Sequence, residues 1–190
     1  RGSFRNFRDH PIPFWKKWIG KNQPLIEEIK ELIHNSLHWK GPSWKFFEYA
    51  VHNGRPLSII TARGHHPKTF EKSIEVLQKY GHITRVPNYL TIYPLSHPEI
   101  RNQLGDAEFK QSIPVLKKKA IHESVLKAFE VYGYNEHHQF GMSDDDPKNI
   151  EFAIDAMMEL KKEFPKNSFY VFHASGGQVL REEIIPGDIK

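Results

Sequence analysis

Phe140-Gly141-Met142-Ser143-Asp144-Asp145-Asp146-Pro147-Lys148-Asn149 is the stretch whose reading decides the fold. Apolar and small residues run into three consecutive carboxylates, and a proline then opens an amphipathic run. That pattern predicts a buried strand ending in an acidic loop at a helix N-terminus. Three adjacent carboxylates repel one another, so a chain that keeps them together supplies a cation or divides them among tasks. Asp146 is placed to cap the helix that Pro147 begins. Asp144 and Asp145 are then left for a hard divalent cation, which oxygen ligands suit. The plainer alternative is a solvated acidic turn with a helix cap.

Downstream, the predicted helix carries Ile150, Ala153, Ile154, Met157, Leu160 and Phe164 on one face and is halted by Pro165. A strand follows over residues 168–172, with Gly176-Gly177 after it. Upstream, Lys117-Lys118-Lys119 precedes a helix with Ile121, Val125, Ala128 and Phe129 inward, stopped by Gly133. Residues 101–114 are polar, contain Gly105 and read as a loop or lid, while Tyr89-Leu90-Thr91-Ile92-Tyr93 reads as a strand. Earlier still, Pro67 opens a helix with Phe70, Ile74 and Leu77 inward, and residues 57–61 form a short strand. Ser43 caps a helix with Trp44, Phe47, Ala50 and Val51, and Pro24 opens one with Leu25, Ile26, Ile29, Leu32 and Ile33.

Helices alternating with strands predict a three-layer, Rossmann-like α/β domain with a parallel sheet. The expected organisation is a helical, aromatic-rich N-terminal elaboration or cap segment over residues 1–42, a core over 43–178, and a charged tail over 179–190 that frays. In residues 4–20, Phe4, Phe7, Phe14, Trp15 and Trp18 stand among Arg5, Arg8, Lys16 and Lys17. They read as a peripheral layer with long basic side chains laid over it. Base stacking with phosphate contacts is the alternative.

The bulk composition narrows the classes. The chain has 190 residues, 38% of them hydrophobic, which suits one core with a small elaboration. Mean hydropathy is -0.60, and neither a membrane span nor a signal-peptide pattern stands out. The chain has no cysteine, which excludes disulfides and thiolate metal sites and fits a cytoplasmic protein. A formal charge of +4 favours anionic partners without indicating nucleic acid by itself.

In open parallel sheets, ligands bind beyond the carboxyl ends of the strands. Thr61, with Arg63 and the amides of Ala62 and its neighbours, can hydrogen-bond and neutralise an anion. A lysine at the start of a crossover helix stabilises negative charge, aided by the helix dipole. Asp144 and Asp145 can hold a cation. Anion donors beside a magnesium-like site describe phosphoryl transfer.

Leu57-Ser58-Ile59-Ile60-Thr61-Ala62-Arg63-Gly64-His65, the lysine cluster and Gly141 through Asn149 occur in that order. Together they resemble the second, third and fourth motifs of the haloacid-dehalogenase-like phosphohydrolase superfamily, over roughly residues 44–175. The resemblance implies a magnesium-dependent phosphatase acting on a phosphorylated small molecule or macromolecule. Thr61 would hydrogen-bond the phosphoryl group, with Ala62 and Arg63 beside it. Lys118, or Lys119 or Lys117 next to it, would neutralise the phosphate and the nucleophile. Asp144 and Asp145 would position Mg2+, and Asn149 would orient the acidic loop. His65-His66 and His137-His138 lack the spacing and partners of a zinc site and read as loop histidines.

The family's first motif, a hydrophobic strand ending in Asp-x-Asp, is not in this sequence. The early aspartate, in Phe7-Arg8-Asp9-His10-Pro11, has no buried strand before it and no second acid two residues on. The expectation is therefore that the nucleophile, and the strand that carries it, lie upstream of Arg1. The chain by itself is then inactive. The alternative is a non-catalytic module that binds a phosphate-bearing or nucleic-acid ligand or a protein partner. Phosphotransfer to an acceptor other than water is chemically close to hydrolysis.

Overall fold

Proline and glycine punctuate the chain where the elements begin and end. The computed structural model describes residues 24–35, 39–175 and 178–185. The aromatic segment over residues 4–20 lies outside them. The chain divides into two compact units. One contains the described residues up to Trp39 together with Glu48–Lys110, and the other contains Lys40–Phe47 and the described residues from Gln111 onward.

In the first unit, helix α1 (Pro24–Asn35) buries Leu25, while Leu32 stays 49% exposed. Helix α2 (Trp44–His52) begins in the other unit, buries Val51, and ends at Gly54, whose φ of +61° turns the chain back. Strand β1 (Pro56–Thr61) follows. Helix α3 (Pro67–Lys79) starts with proline in its first turn, and His66 Nδ1 accepts the Lys68 amide at 3.2 Å. It buries Phe70, Ser73, Val76 and Leu77. Strand β2 (Asn88–Pro94) then pairs with β1 in parallel, from Pro56 opposite Asn88 to Thr61 opposite Pro94.

The short helix α4 (Pro98–Gln103) leads into a segment expected to be a loop or lid. It is a loop over residues 104–112, and it is pinned. Arg101 donates to Leu95 O at 3.0 Å and to Asp106 Oδ2 at 2.5 Å, with both partners buried. Asp106 Oδ1 accepts the Lys110 amide at 2.8 Å, and the Phe109 ring lies 4.8 Å from the Arg101 guanidinium.

In the second unit, helix α5 (Ile113–Tyr132) starts after Ser112 with proline in its first turn. The lysine run therefore lies one turn inside the helix rather than ahead of it. Strand β3 (Gln139–Asp144), helix α6 (Pro147–Glu163) and strand β4 (Ser168–Ser175) follow. β3 and β4 pair in parallel, Phe140 opposite Phe169 and Asp144 opposite His173. The core joins Leu116, Ala120, Ile121 and Val125 of α5 to Ala153, Met157 and Leu160 of α6 and to Phe169 and Val171 of β4.

The expected fraying tail is corrected by strand β5 (Gln178–Glu183), which returns antiparallel along β4, and by Ile184, which is buried. Its charge pattern hid it, because a strand with charged residues suits a sheet edge. The described residues are thus mixed α/β, with a two-stranded parallel sheet and a three-stranded mixed sheet. Among the described residues, no helix is long and apolar enough to cross a membrane.

Candidate functional site

The acidic strand end is built from contacts of very different sequence range. Asp146 caps α6 locally, its Oδ1 accepting the Lys148 amide at 2.9 Å. Asp144 closes a larger network. Its Oδ1 accepts the Asp146 amide at 3.0 Å and Asn149 Nδ2 at 3.1 Å. Its Oδ2 accepts Lys117 Nζ from α5 at 2.5 Å. Burial pushes the Asp144 carboxyl up, but the Lys117 ammonium, the Asp146 amide and the Asn149 side chain together hold it below the ordinary carboxylate range. Asn149 is thus tied to the strand end through Asp144. Asp145 is exposed. Ser143 on β3 shares a 2.6 Å hydrogen bond with Ser43, the residue before α2.

The lysines separate by face. Lys118 Nζ donates to Glu159 Oε1 at 2.8 Å on the partly exposed side of α5 and α6. Lys119 is half-buried. The structure brings Lys117 to the acidic strand end. The lysine run by itself does not single it out; the signal that could have done so is a helical spacing, since the buried Ala120, Ile121, Ser124 and Ala128 stand three, four, seven and eleven residues beyond Lys117. That is the buried face of the helix.

Thr61, Ala62 and Arg63 belong to the first unit. There the carboxyl ends of β1 and β2 are stitched together. Thr61 O accepts the Leu95 amide at 2.8 Å, Ala62 O accepts Ser96 Oγ at 2.7 Å, and Arg63 O accepts the Ser96 amide at 3.4 Å. Thr61 Oγ1 accepts the Arg63 amide at 3.3 Å, leaving the hydroxyl proton for another acceptor. The Arg63 guanidinium, expected to meet an anion, donates to Glu28 of α1 at 2.7 Å. No family model matches the sequence, and no curated protein or solved structure matches it.

The donor set can be tested against magnesium. Mg2+ requires near-octahedral oxygen coordination. Both Asp144 oxygens are engaged, one of them by an ammonium that repels a second cation. Among the described residues, no group of three or more histidine, aspartate or glutamate side chains is arranged to hold a metal. Asp145 is the carboxylate with room. These residues supply at most part of a magnesium shell.

Proposed function

We propose that this chain is part of a phosphatase of the haloacid-dehalogenase-like kind, acting in the cytoplasm on a phosphomonoester. The observation that supports it most is the Lys117–Asp144–Asn149 network, which joins the third and fourth segments of the resemblance through one carboxylate. In this reading Thr61 donates its hydroxyl proton to a phosphoryl oxygen, and Lys117 stabilises charge on the phosphoryl group. Asp144 holds Lys117 in place. The attacking carboxylate lies on a strand outside the chain and forms an aspartyl-phosphate that water then releases. Magnesium, with Asp145 among its oxygen donors, would supply charge neutralisation when bound.

The three-layer, Rossmann-like sheet belongs to the same proposal. β1 and β3 each pair on one side within their own sheet. The apolar residues Leu57, Ile59, Ile60, Phe140 and Met142 on these strands are only half-buried. Strands of parallel sheets are normally covered on both faces, so such residues suit strands that lack a neighbour.

The test is hydrolysis of an aryl phosphate by the full-length protein in magnesium. Asp145→Asn and Lys117→Met should each remove most of the rate, while Lys118→Ala leaves it nearly unchanged. Activity that persists through both chelation and Asp145→Asn rejects the mechanism. The second reading is a phosphate-binding module without turnover, favoured by the commitment of Asp144 to three donors. Salt-sensitive retention on a polyanion, with no hydrolysis by the full-length protein, would select it.

A further inference from the structure

The two loops that close the carboxyl ends of β1 and β2 carry three histidines, and two of these are buried. His65 is 8% exposed and packs edge-on against Phe70 of α3, with ring centroids 6.0 Å apart. His97 is 3% exposed, and neither of its ring nitrogens has a hydrogen-bond partner among the described residues. The His66 ring stands 5.4 Å from that of His97, at an interplanar angle of 84°. His66 and His65 lie on the loop after Thr61, and His97 lies on the loop whose Ser96 is bonded to Ala62 and Arg63. We propose that this cluster is an acid-sensitive latch: when it takes up a proton, the two loops bracketing Thr61 separate.

The charges around the cluster favour that direction. His65 senses the Arg63 guanidinium, which opposes a second positive charge, and the Glu28 carboxylate, which favours one. His97 senses the Glu99 carboxylate, which favours its protonation, and His66, which opposes it. For both buried rings, loss of hydration is the largest influence, holding His65 down to about 4 and His97 below the ordinary histidine range. A neutral imidazole is tolerated in such a place, whereas an imidazolium there needs water or an anion. Opening the loops supplies water. The stitches that must break are few, Leu95 N to Thr61 O, Ser96 Oγ to Ala62 O and Ser96 N to Arg63 O, and the last is already long at 3.4 Å.

Amide hydrogen exchange of the full chain between pH 7.5 and 5, corrected for intrinsic rates, tests the latch. Protection over residues 62–66 and 95–98 should fall by about tenfold per pH unit for each proton taken up, below about pH 6.5. Amides of β3 and β4 should keep their protection over the same range. His97→Gln should flatten the dependence. His66→Gln, at a half-buried position, gives a folded control and should weaken the dependence, because a charge that opposes the proton on His97 is gone. Constant protection in these loops would overturn the proposal. So would a parallel loss in β3 and β4, or a pH dependence that is unchanged in both variants.

Discussion

Lys117 Nζ donates to Asp144 Oδ2 across 2.5 Å, and both side chains are more than nine-tenths buried. The residues lie 27 positions apart on α5 and β3. Neither charge is tolerable there without the other, since a buried ion loses its hydration and must recover it from its partner.

Replacing one partner should therefore cost more than replacing both. Lys117→Met leaves a carboxylate with two neutral donors and should destabilise the protein by about 3–5 kcal/mol. Lys117→Met with Asp144→Leu removes both charges and should cost less than the sum of the single changes. Urea midpoints of the four proteins give the coupling. Additive costs would show that the pair is not energetically linked.

The same carboxylate sets an acid limb. Its folded-state pKa is held below the ordinary value of 3.8, so the unfolded chain binds the proton more tightly. The stabilisation is present in full well above 3.8 and is lost as the pH falls through that value toward the lower folded one. Asn149→Ala removes one of the donors. Its unfolding free energy should converge on that of the parent as the pH drops from 5 to 2.5, a range estimated from the ordinary carboxylate pKa. A difference that is constant with pH would assign Asn149 a role apart from Asp144.

Gly141 on β3 has a neighbour that leaves no room for a side chain. A Cβ built there would stand 2.8 Å from Cε2 of Phe172. Phe172 in turn packs against Phe46, with ring centroids 5.0 Å apart. Gly141→Ala should therefore cost about 1–3 kcal/mol by displacing the ring. Gly141→Ala with Phe172→Leu should regain part of it. Calorimetry on the two variants reads the difference, and a neutral Gly141→Ala would show that the ring moves freely.

Asp106→Asn tests the pinned segment after α4. The change keeps the shape but replaces the carboxylate that Arg101, 9% exposed at its side chain, donates to with a neutral amide. A loss of about 3 kcal/mol is expected, with faster proteolysis between residues 104 and 111. Unchanged proteolysis would make the ion pair incidental to the segment's order.

Contacts of short range were legible in the sequence. Asp146 caps α6 and Pro147 starts it because the cap bond reaches two residues along the chain. Thr61 closes a strand, and Gly54 ends a helix, for equally local reasons. The alternation of helix with strand predicted parallel pairing, and β1 with β2 and β3 with β4 pair that way. The edge strand β5 was missed, because its apolar residues are too few to show a period of two.

The acidic strand end illustrates where sequence stops. Three carboxylates in a row foretold a division of tasks, and one of them caps a helix. Which lysine answers Asp144 was decided by the packing of α5, which turns Lys117 inward and Lys118 toward Glu159. Arg63 likewise reads as an anion donor until Glu28, 35 residues earlier, takes its guanidinium. Local hydrogen bonds follow from neighbouring residue types, so the chain's own order determines them. Long-range charge pairing depends on which faces meet, and folding alone brings those faces together.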